Sequence, residues 1–265
     1  MRFTCVTRDD QNSRKYSEAL IAFLLQRGWI HDDNNPQMVI TLGGDGTILS
    51  AIQKYIYLLN HVAFIGINSG TVGFLSQYRL EEINQFIQDI FTKQANYEYK
   101  RLIQAVIDDN PQLVYFALND IRIQSCVQSQ VLQLYIDGQD FGHTKGSGIC
   151  VSSPTGSSAI NRSLGGTIID EKLWQDVGLQ LNEILPLKTS RYPSLKSPLL
   201  LAPEKEITVF AQNYLGNFDL SIMCYDNSFT QLQGKKKITL RLSNKVAYFA
   251  VFKAVDYIER LKTLF

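Results

Sequence analysis

Residues 38–47 read MVITLGGDGT, and this stretch decides the fold of the first part of the chain. Its first half, Met38–Leu42, is a short and mainly apolar run, which is typical of a parallel strand buried on both faces. Its second half, Gly43–Thr47, is a glycine-rich turn, and the pattern that follows predicts a helix over residues 49–58. Ligands of open α/β sheets lie beyond the carboxyl ends of the strands, so we expect this turn to face a ligand.

The residues around this stretch alternate between strand and helix patterns as far as about Ala95. Short apolar runs predict strands over residues 3–6 and 62–67. Apolar residues at helical spacing predict helices over residues 13–27 and 80–91. This alternation predicts crossover units on a parallel sheet.

After about Asn96 the pattern changes to short β-rich segments separated by turn residues such as Asp137-Gly138 and Asp226-Asn227. The predicted strands cover residues 102–107, 113–117, 131–136, 148–151, 207–211, 220–225, 238–242 and 246–251. We expect one helical insert near residues 171–184 and a last helix over residues 254–264. The predicted fold is therefore α/β plus all-β. An α/β domain with a parallel sheet covers residues 1–97, a β-rich, sandwich-like domain covers 98–250, and a helix over 251–265 returns to the first domain.

The composition narrows the class of protein. Of 265 residues, 45% are hydrophobic, which excludes a disordered chain. Lysine plus arginine number 26 against 25 acidic residues, a balance that supports neither nucleic-acid binding nor a polybasic membrane anchor. The uncharged stretch Tyr55–Tyr78 is interrupted by glycines and suits a buried strand better than a membrane helix. We expect a soluble, cytoplasmic protein whose four cysteines, none of them in a CxxC spacing, are reduced and buried.

The glycine turn contains a carboxylate, that of Asp45. Glycines let backbone N–H groups approach a phosphate, and the start of a helix favours an anion. A carboxylate there would repel that anion, unless Asp45 takes a proton from an attacking hydroxyl, holds Mg²⁺, or does both. The alternative is an ordinary turn in which Asp45 is the helix N-cap. The chain has neither GxxxxGK[ST] nor GxGxxG after a strand, which excludes a P-loop protein and leaves a hydride-transferring Rossmann enzyme unsupported.

Two further motifs are weaker when each is taken alone. Asn119-Asp120 follows an apolar run and offers donors and acceptors that suit ribose hydroxyls or an adenine edge, although a turn explains it equally well. Residues 152–159, SSPTGSSA, predict a tight turn rich in hydroxyl groups, in which Ser157 or Ser158 could cap a short helix.

Together these motifs resemble the NAD kinases, specifically the compact type of Gram-positive bacteria. GGDGT alone also has close relatives in diacylglycerol kinases, sphingosine kinases and 6-phosphofructokinases, but the ordered set is highly specific. In chain order the set is Gly43–Thr47, Asn68–Gly70 with Gly73–Leu75, Ala117–Asp120, Ser153–Ser157, Leu164–Gly166 and Ser197–Leu199.

The resemblance implies a kinase that phosphorylates the 2′-hydroxyl of the adenosine ribose of NAD to give NADP, with ATP as donor and Mg²⁺ or another divalent cation as cofactor. It implies that Asp45 activates the hydroxyl and that Gly44 and Gly46 approach the donor phosphates. It places the dinucleotide in a cleft between the domains, mainly on the β-rich one, and implies a homotetramer or homodimer. No residue is assigned as a metal ligand. The residues implied to contact the dinucleotide are Phe74, which is also plausible as core, with Asn119, Asp120, Ser158, Ala159 and Ser163.

Three positions depart from the family pattern. Ser147 stands where the family usually has Asp, Ile160 where it has Tyr, and Lys145 where it often has Arg. The first two changes affect dinucleotide binding rather than the phosphoryl-transfer carboxylate, and Lys145 keeps a charge but loses the bidentate fork. Two alternatives stay open: a lipid kinase of the diacylglycerol type, and an NAD- or NADP-binding protein without turnover.

Overall fold

The structure is a computed structural model that describes residues 1–70, 73–125, 127–212, 221–234 and 236–262. It divides into two compact units, the first formed by Met1–Lys100 with Lys245–Phe265 and the second by Arg101–Asn244. The strands are β1 Arg2–Thr7, β2 Ile30–His31, β3 Met38–Leu42, β4 Ala63–Asn68, β5 Tyr78–Arg79, β6 Asn96–Ile107, β7 Val114–Ala117, β8 Asp120–Ser125, β9 Gln130–Ile136, β10 Gln139–Gly146, β11 Gly148–Ser152, β12 Gln180–Ile184, β13 Leu199–Leu200, β14 Ile207–Gln212, β15 Ser221–Tyr225, β16 Ser228–Gln231 and β17 Lys236–Val251. The α-helices are α1 Gln11–Gln26, α2 Asp45–Lys54, α3 Ile83–Thr92, α4 Ile160–Ser163 and α5 Tyr257–Lys262, and 3-10 turns cover Leu80–Glu82, Thr155–Ser158 and Glu171–Leu173.

The first unit is built on a parallel sheet. Its strand order is β2-β1-β3-β4, and the last part of β17 adds to β4 with Tyr248 opposite Ala63. Every residue of β3 is buried, as its mainly apolar sequence predicts. Leu20 and Leu24 of α1 and Phe86 of α3 pack into the same core as the strand side chains.

Helix α2 occupies other residues than the sequence pattern predicts. It begins at Asp45 and ends at Lys54, so the prediction of residues 49–58 was wrong at both ends. It begins early because the glycine turn enters the helix directly, with Gly44 as its N-cap. It ends early because the chain turns at Tyr55, whose hydroxyl donates to the carbonyl oxygen of Asp33 at 3.0 Å.

The second unit is a sandwich of two antiparallel sheets. One sheet has the order β10-β9-β14-β17, with β6 beside β17 and β7 beside β6. The other has the order β13-β12-β11-β8-β15-β16. Buried side chains of the two sheets share one core, for example Leu134 and Val209 with Ile123 and Val151. The predicted fold class, an N-terminal α/β domain followed by a β-rich one, is confirmed. The predicted boundaries at 97/98 and 250/251, and the dinucleotide-binding role of the second domain, stay predictions.

Other predicted elements in the second half of the chain also differ from the structure. The helical insert at residues 171–184 was wrong, because only Glu171–Leu173 forms a 3-10 turn and Gln180–Ile184 is strand β12. The strands predicted over 238–242 and 246–251 are a single strand, β17. The last helix covers Tyr257–Lys262 rather than 254–264, of which residues 263 and 264 lie outside the described part.

Cys5, Cys150 and Cys224 carry free thiols, and Cys126 lies outside the described residues. None of the helices in the described ranges has the length and the apolar character needed to cross a membrane.

Candidate functional site

The glycine turn after β3 contains two kinds of glycine. Gly43 donates its N–H to the carbonyl oxygen of Ile67 at 3.0 Å, and a Cβ there would lie 2.1 Å from Oγ1 of Thr47, so the fold itself requires glycine. A Cβ at Gly44 or Gly46 would meet no atom of a described residue within 4 Å. The fold therefore does not require glycine at these two positions, and the space beside their backbone is open to a ligand.

The carboxylate of Asp45 is held by a neighbouring loop. One oxygen, Oδ2, accepts the N–H of Phe74 at 2.8 Å, and the other, Oδ1, accepts the N–H of Leu75 at 3.1 Å. The alternative that Asp45 is the N-cap was wrong, since Gly44 takes that position and Asp45 is the first residue of the helix. Burial raises the pKa of Asp45 above its ordinary value, while the two N–H groups and the charge of Arg260 oppose that rise. A fixed carboxyl group with a raised pKa suits proton abstraction near neutral pH.

Phe74 contributes its backbone to the position of Asp45. Its ring is half-buried and packs edge-on against Tyr257 of α5, with 6.3 Å between the ring centroids. Its carbonyl oxygen accepts a hydrogen bond from Nη1 of Arg260 at 2.7 Å. Beside this loop lies a cavity of about 310 Å³, whose wall includes Gly73, Ser76 and Arg260.

Asn119 lies between β7 and β8 in the second unit. The N–H groups of Leu118 and Asn119 each donate to the carboxylate of Asp226 at 2.8 Å, which fixes the backbone at this junction. Asp226 has a φ of 52° at the turn between β15 and β16. The half-buried amide side chain of Asn119 makes no hydrogen bond within the part of the chain that the structure describes. The backbone of Asn119 is thus held in place while its amide can bind a ligand.

Asp120 begins β8 and is buried, with only 5% of its surface exposed. It accepts a hydrogen bond from Nε of Arg122 at 3.0 Å. Burial, together with the nearby charge of Asp226, raises the pKa of Asp120 to about 6, although Arg122 acts in the opposite direction. This carboxyl group therefore titrates close to neutral pH.

The hydroxyl-rich segment packs against the backbone of Asn119. A Cβ at Gly156 would lie 2.0 Å from the carbonyl oxygen of Asn119, and the hydroxyl of Ser153 donates to the carbonyl oxygen of Leu118. The hydroxyl oxygen of Ser157 accepts the N–H of Ile169 at 3.0 Å. The prediction that Ser157 or Ser158 caps the following helix was wrong, because Ala159 is the N-cap of α4. Of the predicted contact residues, Ser158 is buried, Ala159 is half-buried, and Ile160 and Ser163 are exposed.

The departures at Lys145 and Ser147 lie where β10 ends and β11 begins. The glycines on either side of Ser147 pack closely against other backbone segments. A Cβ at Gly146 would lie 2.7 Å from the carbonyl oxygen of Leu185, and one at Gly148 would lie 2.0 Å from that of Ile123. The hydroxyl of Ser147 forms no hydrogen bond to any described residue. The ammonium group of Lys145 lies 5.7 Å from the ring centre of Tyr192.

The structure thus brings Gly44, Asp45, Gly46 and Phe74 together in the first unit, and it places the other predicted residues in two groups of the second. Sequence reasoning missed the supporting roles of Asp226, Arg122 and Arg260. Asp226 was recognised only as a turn residue, and no local pattern connects Arg260 with a loop almost two hundred residues earlier. Within the described residues, no three His, Cys, Asp or Glu side chains cluster in a way that could hold a metal ion.

Comparison with known proteins gives a consistent result. Residues 2–95 match the family model described as the ATP-NAD kinase N-terminal domain. The chain is 32% identical to an NAD kinase of Lactobacillus johnsonii over 267 residues, which cover 100% of this chain and 97% of that protein. It is 30% identical to an NAD kinase of Limosilactobacillus reuteri over 271 residues, which cover 100% and 98%.

Two solved structures share the fold. Yeast NADH kinase complexed with NADH superposes with a TM-score of 0.84 at 18% identity, covering 99% of this chain and 86% of that one. An NAD kinase from Archaeoglobus fulgidus in complex with ATP superposes with a TM-score of 0.76 at 23% identity, covering 99% of each chain.

Proposed function

The chain belongs to the NAD kinase family, and from that membership we propose that it transfers the terminal phosphoryl group of ATP to the 2′-hydroxyl of the adenosine ribose of NAD. The observation that carries the proposal is the carboxylate of Asp45. It is fixed by the N–H groups of Phe74 and Leu75 at the start of a helix, beside two glycines that the fold does not need.

Asp45 is proposed to act as the general base. It accepts the proton of the ribose hydroxyl as that oxygen attacks the terminal phosphorus of ATP, and the bond from this phosphorus to the bridging oxygen breaks to release ADP. Two N–H donors keep the carboxylate in one orientation, and burial raises its pKa, so the group is a stronger base than a solvated carboxylate. The open backbone at Gly44 and Gly46 is proposed to approach the phosphates of the donor.

The dinucleotide is proposed to bind to groups of the second unit and to Phe74. Asn119 offers an amide whose donors and acceptors have no partner among the described residues, and Asp120 offers a carboxyl group that titrates near neutral pH. The other residues proposed to line the site are Lys145, Ser147, Ser158, Ala159, Ile160 and Ser163.

A divalent cation, Mg²⁺ by preference, is proposed to enter with the donor. In proteins Mg²⁺ is held by one or two carboxylates together with substrate phosphates and water rather than by a cage of protein ligands. The described residues contain no group of three side chains that would form such a cage. No protein residue is assigned as a ligand of the cation.

The test is incubation of the purified protein with NAD, ATP and Mg²⁺, with the product measured by an NADP-specific dehydrogenase. We expect NADP to form. Phosphorylation of diacylglycerol in a parallel reaction, with no NADP, would instead support the lipid-kinase alternative. Calorimetric binding of NAD without formation of NADP would support the alternative of a binding protein without turnover.

The Asp45→Asn variant tests the general base. It keeps the size of the side chain but removes its basicity, so we expect turnover to fall by ~10²–10⁴-fold. Circular dichroism should show an unchanged fold. The matched control is Asp9→Asn, which removes an exposed carboxylate that is ion-paired with Arg14. Retention of more than about a tenth of the activity by Asp45→Asn would contradict the role of general base.

The family resemblance also underlies two proposals about the whole protein. We propose that the chain forms a homodimer or homotetramer and that it acts in the cytoplasm on small-molecule substrates.

A further inference from the structure

Arg260 of α5 lies on the opposite side of the 73–76 loop from the carboxylate of Asp45. Its Nη1 donates to the carbonyl oxygen of Phe74 at 2.7 Å, and its Nη2 donates to the carbonyl oxygen of Ser76 at 3.3 Å. The guanidinium group thus joins two carbonyl oxygens of one short loop, a geometry to which the rigid fork of arginine is suited.

The peptide group between Phe74 and Leu75 is bound at both ends. Its oxygen accepts the hydrogen bond from Arg260, and its N–H donates to Oδ1 of Asp45 at 3.1 Å. Hydrogen bonds in such a chain polarise one another, so a cation on the oxygen strengthens the N–H as a donor to the carboxylate. One peptide group therefore connects the guanidinium of Arg260 to the carboxylate of Asp45.

The same helix also restrains the side chain of the loop. The ring of Tyr257 packs edge-on against the ring of Phe74, with an interplanar angle of 81°. The peptide unit between Ser76 and Gln77, two further along the loop, is also fixed, because Gln77 donates its N–H to the carbonyl oxygen of Gly66 at 3.1 Å. The loop is thus held on one side by β4 and on the other by α5.

We propose that Arg260 is a positioning residue for the reaction, which aligns the carboxylate of Asp45 through the peptide group between Phe74 and Leu75. The proposal rests on the proposed function, in which Asp45 is the general base. In this proposal Arg260 acts on Asp45 through the loop and not on the dinucleotide or the donor, so its effect should appear in the turnover number rather than in substrate binding.

The charge of Arg260 has a consequence for pH dependence. It lowers the pKa of Asp45 and so opposes the effect of burial. Other charged side chains around the turn and the loop are engaged elsewhere: Arg8 with Asp10, Lys253 with Glu82, Glu259 with Lys262, and Asp256 with the N–H of Ile258. Arg79 also lines the cavity beside the loop. Removal of Arg260 should raise the pKa of Asp45, and the acid limb of the rate profile should move to higher pH.

The experiment compares kcat, the KM for NAD and the pH profile of kcat for the wild type, Arg260→Ala, Arg260→Lys and Lys262→Ala. For Arg260→Ala we expect kcat to fall by ~10–10²-fold, the cost of a small misplacement of a reacting group. The KM for NAD should stay within about twofold, and the acid limb should move upward by about one pH unit. Arg260→Lys keeps the charge but loses the fork, so kcat should fall while the acid limb stays near that of the wild type. Lys262→Ala, on the exposed face of the same helix, should behave as the wild type.

Wild-type kcat and an unmoved acid limb in Arg260→Ala would overturn the proposal. If circular dichroism shows that Arg260→Ala does not fold, Arg260→Lys decides, because wild-type kcat in that variant would also overturn it. The pKa of Asp45, followed by NMR of its labelled carboxyl carbon, supplies a readout that needs no turnover. A wild-type protein that forms no NADP would refute the proposed function, whereas an active wild type with an unchanged Asp45 pKa in Arg260→Ala would refute only the role of Arg260.

Discussion

The backbone of Asn119 is bound within the fold, whereas its side-chain amide is proposed to bind NAD. Its N–H and carbonyl oxygen are bound by Asp226 and by the N–H of Ser153, whereas its amide has no partner among the described residues. We expect Asn119→Ala to leave the fold intact and to remove hydrogen bonds to NAD, each worth roughly 1–3 kcal/mol when the partner is left unsatisfied. Steady-state kinetics should show a raised KM for NAD and little change in the KM for ATP. Equal changes in both KM values would show a structural role, and the exposed Asn34→Ala should change neither.

Ser147 and Ile160 are the residues at which this chain should bind NAD less tightly than its relatives do. The backbone at Ser147 is fixed by Gly146 and Gly148, and Ile160 is 36% exposed, so the structure leaves room for a larger side chain at position 160. We expect Ser147→Asp with Ile160→Tyr to tighten NAD binding, since a new hydrogen bond and ring stacking each contribute ~1 kcal/mol. Overpacking around Ser147, which is half-buried, would offset this gain by ~1–3 kcal/mol.

Calorimetry on the wild type, both single variants and the double variant measures that gain. The double variant carries the most weight, because neighbouring substitutions need not be additive. Unchanged or weaker binding in a double variant that melts like the wild type would show that the dinucleotide pocket is built differently here.

At the scale of elements, the turn between β3 and α2 contains one glycine that the fold requires, Gly43, and two that are proposed to approach the donor phosphates, Gly44 and Gly46. In Gly46→Ala the new methyl group meets no atom within 4 Å in the part of the chain that the structure describes, and alanine favours the helix by up to ~1 kcal/mol, so the variant should be at least as stable as the wild type. The same methyl group would occupy the space proposed for the donor phosphates, so the KM for ATP should rise.

Gly43→Ala is the matched comparison for that variant. Its methyl group would lie 2.1 Å from Oγ1 of Thr47, so we expect a loss of ~1–3 kcal/mol in the free energy of unfolding. Denaturant titrations and ATP kinetics on both variants test the distinction. A Gly46→Ala enzyme with a wild-type KM for ATP would show that the phosphates do not approach this backbone.

The elements that the sequence predicted well are those whose own side chains carry the signal. Strand β3 was found because both of its faces are buried, and α1 and α3 were found because their apolar residues recur on one face. Strand β12 was missed because Gln180 and Asn182 are polar yet buried, and their partner, Asn161, is distant in sequence. Strand β8 was missed for a similar reason, since its charged residues Asp120 and Arg122 bind each other.

For the candidate site, the sequence predicts the motif residues but not the residues that hold them in place. The six motifs in order identified the family, and the role of Asp45 that the family implies stays a prediction. A motif does not show which other residues hold its side chains in place. The hydrogen bonds from the 73–76 loop, Asp226 and Arg260 depend on segments that approach only in the folded chain, and no spacing in the sequence encodes such an approach.

At the scale of the whole molecule, the buried Asp120 makes stability depend on pH. Its pKa is raised to about 6, mainly by burial, so the folded state binds more protons than the unfolded state between about pH 4 and pH 6. The free energy of unfolding should therefore fall as pH rises through that window, by up to about 3 kcal/mol. Urea titrations across the window should show this fall in the wild type and its loss in Asp120→Asn.

Asp137→Asn is the control, because the pKa of Asp137 is lowered in the fold whereas that of Asp120 is raised. Lys205 lowers the pKa of Asp137, so the contribution of this pair to stability is lost as pH falls. Removing Asp137 should leave the decline between about pH 4 and pH 6 in place. If the free energy of unfolding of Asp120→Asn falls with pH as that of the wild type does, another group causes the pH dependence.

The first unit is assembled from two separated parts of the chain, Met1–Lys100 and Lys245–Phe265. During synthesis the ribosome releases the residue proposed as the general base early and releases Arg260 only after the whole second unit has emerged. A shortened product of translation that contains the glycine turn but ends before residue 257 thus lacks the helix that holds the 73–76 loop. Such products should have no kinase activity. About two hundred further residues must therefore be added after Asp45 before this residue can act as a base.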